Sequence, residues 1–307
     1  MKNLYRIFLC MLFVAVVNSC TKKQPAPLSL NVMSFNIWVG GGKSVDATAK
    51  VIAESGAGII GIQEAIRDDK NTAVDIADSL GWHSYICPHS QRTVILSKYP
   101  VVDTSANKYG VKIKIDDDRS VWMFNVHLIH CPYEPYQLNG IEYCGAPFLE
   151  TEAEAVSSAG ASRGEEVKTV VADILEAKKD GYPVFLTGDF NEPSCLDWTA
   201  RAAEAGLCRM PVAWPSTRAF IDEAGLKDSY RTKYPDEVNN PGHTWTTLPE
   251  TEAYEEVLDR IDFVFFSGEK IQLVDSQLVG EVGPMSDIQF AGYPSDHRAV
   301  LSSFVLK

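Results

Sequence analysis

Past residue 17 the sequence holds no apolar run long enough to cross a bilayer, which excludes a multispanning helical membrane protein. It is also short of positive charge. Its 28 Lys and Arg face 41 Asp and Glu, for a formal net charge of -13. That balance opposes nonspecific attraction to a nucleic-acid backbone, whose affinity comes largely from Lys and Arg neutralising phosphates. No Cys-x-x-Cys pair occurs, so a structural zinc site is not expected. No internal repeat is evident, and polar motifs spread along the 307 residues argue for one large domain rather than two.

At the N-terminus, Lys2 and Arg6 precede an apolar run over residues 7–17 and then Asn18-Ser19-Cys20. This is the layout of a signal peptide. Val17-Asn18-Ser19-Cys20 resembles a bacterial lipobox, in which Cys20 becomes the lipidated first residue; a plain signal peptide cut elsewhere is the alternative. The expected organisation is a leader over 1–19, a lipidated tether over 20–27 containing Gln24-Pro25-Ala26-Pro27, and one domain over 28–307. The expected location is the bacterial cell envelope, facing periplasm or cell surface. Loss of Lys2 and Arg6 leaves the mature chain near -15. Cys87, Cys131, Cys144, Cys195 and Cys208 then remain, an odd number, and Cys131 with Cys144 brackets a single loop that an oxidising compartment could close.

The most informative stretch is Pro183-Val184-Phe185-Leu186-Thr187-Gly188-Asp189-Phe190-Asn191. Val184, Phe185 and Leu186 have the composition of a buried strand ending at Gly188. If the chain stays extended, Asp189 and Asn191 face one pocket while Phe190 turns into the core. The same style recurs. Asn36 sits in Val32-Met33-Ser34-Phe35-Asn36, Gln63-Glu64 ends Ile59-Ile60-Gly61-Ile62, and His127 ends Trp122-Met123-Phe124-Asn125-Val126. Asp262 heads Phe263-Val264-Phe265-Phe266, and Ser295-Asp296-His297 leads into the apolar C-terminal run. Packing alone does not explain apolar strands that repeatedly deliver polar or ionisable side chains at their ends.

This ordered set resembles the endonuclease/exonuclease/phosphatase superfamily, DNase I-like and neutral sphingomyelinase-like proteins included, from about residue 30 to the C-terminus. The resemblance implies an α+β fold, a four-layer α/β/β/α sandwich. The coarse pattern agrees, with strands expected at 28–37, 58–63, 82–87, 93–97, 110–115, 120–128, 183–187, 259–266, 271–279 and 298–306. Helices are expected at 45–55, 69–80, 163–179, 196–205 and 219–224. Asp116-Asp117-Asp118-Arg119 reads as a solvated hairpin turn.

The resemblance also implies a metal-dependent phosphoester hydrolase working by in-line water attack. Phosphoester hydrolysis needs neutralised phosphoryl charge, a positioned water and a stabilised leaving oxygen. Glu64 is the expected Mg²⁺ ligand, with Asn36 and Asp296 completing or flanking the site and Mn²⁺ or Ca²⁺ as alternative ions. His297, oriented by Asp262, is expected as base or phosphate ligand. Asp189 is expected to orient the water or protonate the leaving group, Asn191 to donate to phosphate, and His127 to stand across the scissile bond. His243 and Trp245 in Gly242-His243-Thr244-Trp245, and the cations Arg92 and Arg163, are candidate substrate contacts; Arg260 reads as structural.

Residues 129–162 read as a long loop directly after His127, with Tyr133, Tyr136, Tyr143 and Phe148 suited to a substrate-specificity element. The pattern departs from pancreatic-type DNases at Gln91-Arg92-Thr93, where those enzymes carry an acidic residue behind the phosphate-side histidine. With the acidic balance and the leader, this turns the expectation from duplex DNA toward a lipid headgroup, sugar phosphate or other small phosphoester, handled by a monomer. A surface nuclease is the alternative enzyme. A surface-anchored binding protein with a relic site is the alternative of another class, disfavoured because every expected polar position holds a competent residue.

Overall fold

The computed structural model describes residues 26–248 and 256–307; the expected leader and all but the last two residues of the expected tether lie outside them. Two sheets form the body. One has seven strands in the spatial order Ile288–Gln289, Ile271–Gly280, Ala299–Leu306, Leu28–Asn36, Ile59–Gln63, Val94–Ser97 and His83–Ile86. The other has six, in the order Lys227–Asp228, Asp262–Ser267, Val184–Asp189, Ser120–His127, Gly110–Lys114 and Val101–Thr104. The long strands expected from the sequence are all present, and Val101–Thr104 is an addition, a largely exposed edge strand too short and too polar to announce itself.

Period-two alternation explains the layering. Val32, Ile59, Val121, Met123, Phe185 and Val264 point between the sheets into one core, where Phe185 meets Phe304 at 4.9 Å between ring centres. Their neighbours Met33, Phe35, Ile60 and Ile62 face outward under the helices Val45–Glu54 and Thr72–Leu80. On the opposite side Phe124, Val126, Val184 and Leu186 lie under the helices Glu152–Lys178 and Pro215–Asp222. Strands buried on both faces read as continuous apolar runs, as the central ones do here. The result is the expected four-layer α/β/β/α sandwich.

The segment 129–162 is not one long loop. A short helix spans Glu134–Asn139, and the 27-residue helix starts at Glu152, behind a capping box between Thr151 and Glu154. The expectation of a helix beginning at 163 fails because Ala, Ser and Gly over residues 153–164 carry little apolar signal. Cys131 and Cys144 are joined as a disulfide.

Gly61 marks the tightest approach of the sheets. A Cβ there would collide with Thr187 Oγ1 and with the Asn125 carboxamide on the facing sheet. Gly61→Val should therefore destabilise the fold by about 1–3 kcal/mol, read as a lowered urea midpoint with unchanged slope.

Candidate functional site

Strand register assembles the cluster. Val184–Asp189 pairs in parallel with Ser120–His127 and antiparallel with Asp262–Ser267, so Asp189 lies opposite both His127 and Asp262. In the other sheet, Leu28–Asn36 runs parallel to Ile59–Gln63 with Asn36 opposite Gln63. The strand ends of both sheets thus converge on one edge of the sandwich.

Asp189 sits at the centre, fully buried. Its Oδ2 accepts from Asn36 Nδ2 at 2.9 Å and lies 3.5 Å from His127 Nε2 and 3.8 Å from His297 Nε2. Its Oδ1 accepts from the Asn191 backbone N–H at 2.9 Å. Burial would raise this carboxyl, but His297 and His127 overcome it and hold Asp189 at about 2. His297 Nδ1 meets Asp262 Oδ2 at 2.9 Å. Burial opposes charge on that imidazole, yet the Asp262 and Asp189 carboxylates carry it from the ordinary 6.5 to about 10. His127 is likewise raised, against burial, by Asp189 and Glu64.

Backbone and hydroxyl contacts hold the reactive groups in place. Ser295 Oγ donates to the Asn36 carbonyl at 2.6 Å and accepts the His297 N–H at 3.1 Å, tying the Ser-Asp-His turn to the opposite strand. Thr244 Oγ1 accepts the N–H groups of Ile261 and Asp262 at 3.0 and 3.1 Å. Phe190 turns into the core as expected, but Asn191 leaves the extended path for a left-handed φ of 47°, and its Nδ2 donates to the Leu128 carbonyl at 3.0 Å.

Glu64, also left-handed at φ 57°, accepts the Val39 N–H on Oε2 at 2.8 Å and places Oε1 4.0 Å from His127 Nε2. Burial lifts the Asp296 carboxyl to about 6; His297 opposes the rise and the Glu64 carboxylate adds to it. Repulsion between two such carboxylates is what a bound cation relieves, and hard oxygens are the donor type that Mg²⁺ takes. Asn36 adds little freedom, because its Oδ1 already accepts the Trp38 N–H at 3.0 Å. Asp189, Asp262 and His297 also bring ligand-type atoms within 4.8 Å of one another, but the Asp262–His297 hydrogen bond closes that trio on itself.

Two expected substrate contacts are misplaced. Arg163 is fully buried, not phosphate-facing. Its Nε and Nη2 donate to the Ile129 and Pro132 carbonyls at 3.0 and 2.7 Å, and its Nη1 pairs with Glu134 at 2.8 Å. His243 lies behind the cluster beside Asp197, Trp198 and Arg231, with burial and nearby arginines lowering it to about 4. Arg92 is exposed, its carbonyl accepting the Ala65 N–H next to Glu64. Trp245 lies beside the cluster, with its ring 4.9 Å from that of His297. Together with Asn191, His130, Tyr133, Tyr136 and Tyr143 it lines a small cavity of about 60 Å³. Arg260 is structural as expected, buried against Asp197 and Asp228.

A profile of the Endonuclease/Exonuclease/phosphatase family matches residues 33–297. An uncharacterized Caenorhabditis elegans protein is 26% identical over 299 residues, covering 90% of this chain and 91% of its own. Among solved structures, TDP2 from C. elegans is similar with a TM-score of 0.52 and 20% identity, over 91% of this chain and 75% of that one. The 3′ phosphatase NExo from Neisseria, bound to a product DNA hairpin, gives 0.54 and 15%, over 89% and 98%. At these identities the solved structures establish the fold.

Because His297 titrates well above the unfolded value, the His297–Asp262 contact contributes fully below about pH 6.5 and is lost as pH rises toward 10. In metal-free protein, NMR titration of His297 should show this raised midpoint. Asp262→Asn should lower it by about one unit or more.

Proposed function

The chain belongs to the endonuclease/exonuclease/phosphatase family, and from that premise we propose that it hydrolyses a small or lipid-linked phosphoester with the help of a divalent metal. The observation that carries this reading is Asp189, buried, ionised and flanked by two imidazoles within 4 Å at the meeting point of both sheets. A carboxylate held ionised in this way can orient an attacking water by accepting its hydrogen bond, and Asn36 Nδ2 fixes the carboxylate's own orientation. His297, kept cationic by Asp262, and His127, raised by Asp189 and Glu64 against its burial, offer N–H donors to phosphoryl oxygens. Glu64 and Asp296, with Asn36 beside them, are the residues that would hold the ion. A bound Mg²⁺ supplies charge neutralisation at phosphorus and at the leaving oxygen.

The substrate reading rests on charge. Among the described residues that line the aromatic cavity beside Asn191 there is no Lys or Arg, and the chain carries -13. A small neutral or cationic ester fits these surroundings better than a polyanionic duplex.

Protein stripped with EDTA should lose hydrolysis of bis-p-nitrophenyl phosphate and regain it with Mg²⁺. Full activity without any divalent ion would overturn the metal assignment. Glu64→Ala should raise the metal concentration for half-maximal rate by at least about 10–100-fold. Asp189→Asn should lower kcat by about 10²–10⁴-fold at saturating metal.

We also propose that Cys20 anchors the enzyme to the cell envelope, since each buried lipid methylene contributes about 0.8 kcal/mol and several acyl chains make attachment stable. Cys20→Ser should move the protein from the membrane fraction to a soluble or unprocessed form. Wild-type protein found soluble, with an N-terminus other than residue 20, would remove the anchor.

A further inference from the structure

We propose that Val39 is a positioning residue for the ion-holding carboxylate, acting through its backbone N–H, which aims Glu64 from the left-handed turn over residues 38–42; this rests on the metal-dependent reading of the adjacent cluster. Three successive amides of that turn are engaged. The Trp38 N–H donates to Asn36 Oδ1 at 3.0 Å, the Val39 N–H to Glu64 Oε2 at 2.8 Å and the Gly40 N–H to the Glu64 carbonyl at 2.6 Å. Just past the turn, the Lys43 N–H donates to the Pro294 carbonyl at 3.1 Å, two residues before Asp296. One short stretch therefore touches the segments of Asn36, Glu64 and Asp296 alike.

The backbone that allows this is an unusual one. Trp38, Val39 and Gly40 have φ of 51°, 47° and 68°, and a β-branched residue in that region is an outlier. Successive N–H groups in such a turn converge on one side, the arrangement that binds anions. Here the anion is the chain's own Glu64. Packing of the valine does not account for the conformation, because its side chain is 47% exposed. Neighbours hold the turn instead. A Cβ on Gly40 would collide with Arg67, and one on Gly42 with the Pro294 carbonyl oxygen, so the turn is wedged between the segment after Glu64 and the segment before Asp296.

The contact gives the two oxygens of Glu64 different tasks. Oε2 is committed to the Val39 N–H, while Oε1 faces His127 at 4.0 Å. A carboxylate with one oxygen held by a charge-assisted hydrogen bond keeps the rotamer that presents the other. Supporting contacts behind a metal ligand typically change affinity by about 10–100-fold. The Trp38 N–H does the same for Asn36: with Oδ1 taken, Nδ2 is turned to Asp189. The turn thus orients both a carboxylate expected to hold the ion and the amide that fixes Asp189.

The test deletes only the N–H. In the mature chain, the valine at position 39 is replaced by its α-hydroxy acid analogue, which puts an ester oxygen in place of the amide. Calorimetric titration of the substrate-free protein with Mg²⁺ or Mn²⁺ should then show Kd raised by about tenfold. Val39→Gly keeps the N–H and suits the left-handed backbone, and should leave Kd unchanged. In wild-type protein labelled with ¹⁵N-valine, the Val39 amide proton should resonate downfield and shift as Mg²⁺ is added, and Glu64→Ala should abolish both. Wild-type affinity in the ester variant, or an equal loss in Val39→Gly, would overturn the positioning role and leave the metal reading standing. If the ester variant does not fold, the amide proton decides: a Val39 resonance indifferent to Mg²⁺ removes the role. Wild-type protein that binds no divalent ion would remove the metal reading and this proposal together.

Discussion

The catalytic edge depends on how closely the two sheets approach at Gly61. Asn125 fills the space that a side chain there would take. Its Nδ2 donates to the Ile62 and Val94 carbonyls at 2.9 and 3.0 Å, and its Oδ1 accepts from Gln63 Nε2 at 2.7 Å and Thr187 Oγ1 at 3.0 Å. Ser34 Oγ adds a link by accepting the Gly188 N–H at 3.1 Å. A buried amide satisfied as fully as Asn125 is rigid, because any shift leaves a polar group without a partner in low dielectric. The register of one sheet against the other is thereby set within two residues of Asn36, Glu64, His127 and Asp189.

That rigidity lets opposite charges sit close together without collapse. Asp189 is held on both oxygens by N–H donors, from Asn36 and from the Asn191 backbone, so it stays some 3.5 Å or more from both imidazoles. A carboxylate free to swing would form a tight ion pair with either histidine. Preorganisation of this kind is a large part of what an active site contributes.

Much of this was legible in the chain. Asp189, His127, Asp262 and His297 could be found because each ends or begins an apolar strand, a pattern that survives without any knowledge of the partner strand. The fold class followed from the same runs. Arg163 and His243 point away from the cluster for a shared reason that the sequence does not show: the partners of a polar side chain lie far from it along the chain. Glu134 lies 29 residues from Arg163, and Asp197 lies far from His243. Asn125 gave no signal, since an amide inside a strand looks the same whether it bridges two sheets or faces water. Phe148 was grouped with the loop tyrosines, but it is exposed and stands outside the cavity that Tyr133, Tyr136 and Tyr143 line. The early start of the long helix was hidden by its small residues, although Thr151 and Glu154 carried a readable capping box.

Arg163 has a consequence for how such an enzyme can diversify. By gripping the Ile129 and Pro132 carbonyls and Glu134, it moors the chain to the long helix within a few residues of His127. The disulfide then bounds the aromatic segment between Cys131 and Cys144. Replacements inside that closed loop are insulated from the strand that carries the histidine. A segment pinned in this way can change the side chains at Tyr136 and Tyr143 without moving the strand that carries His127.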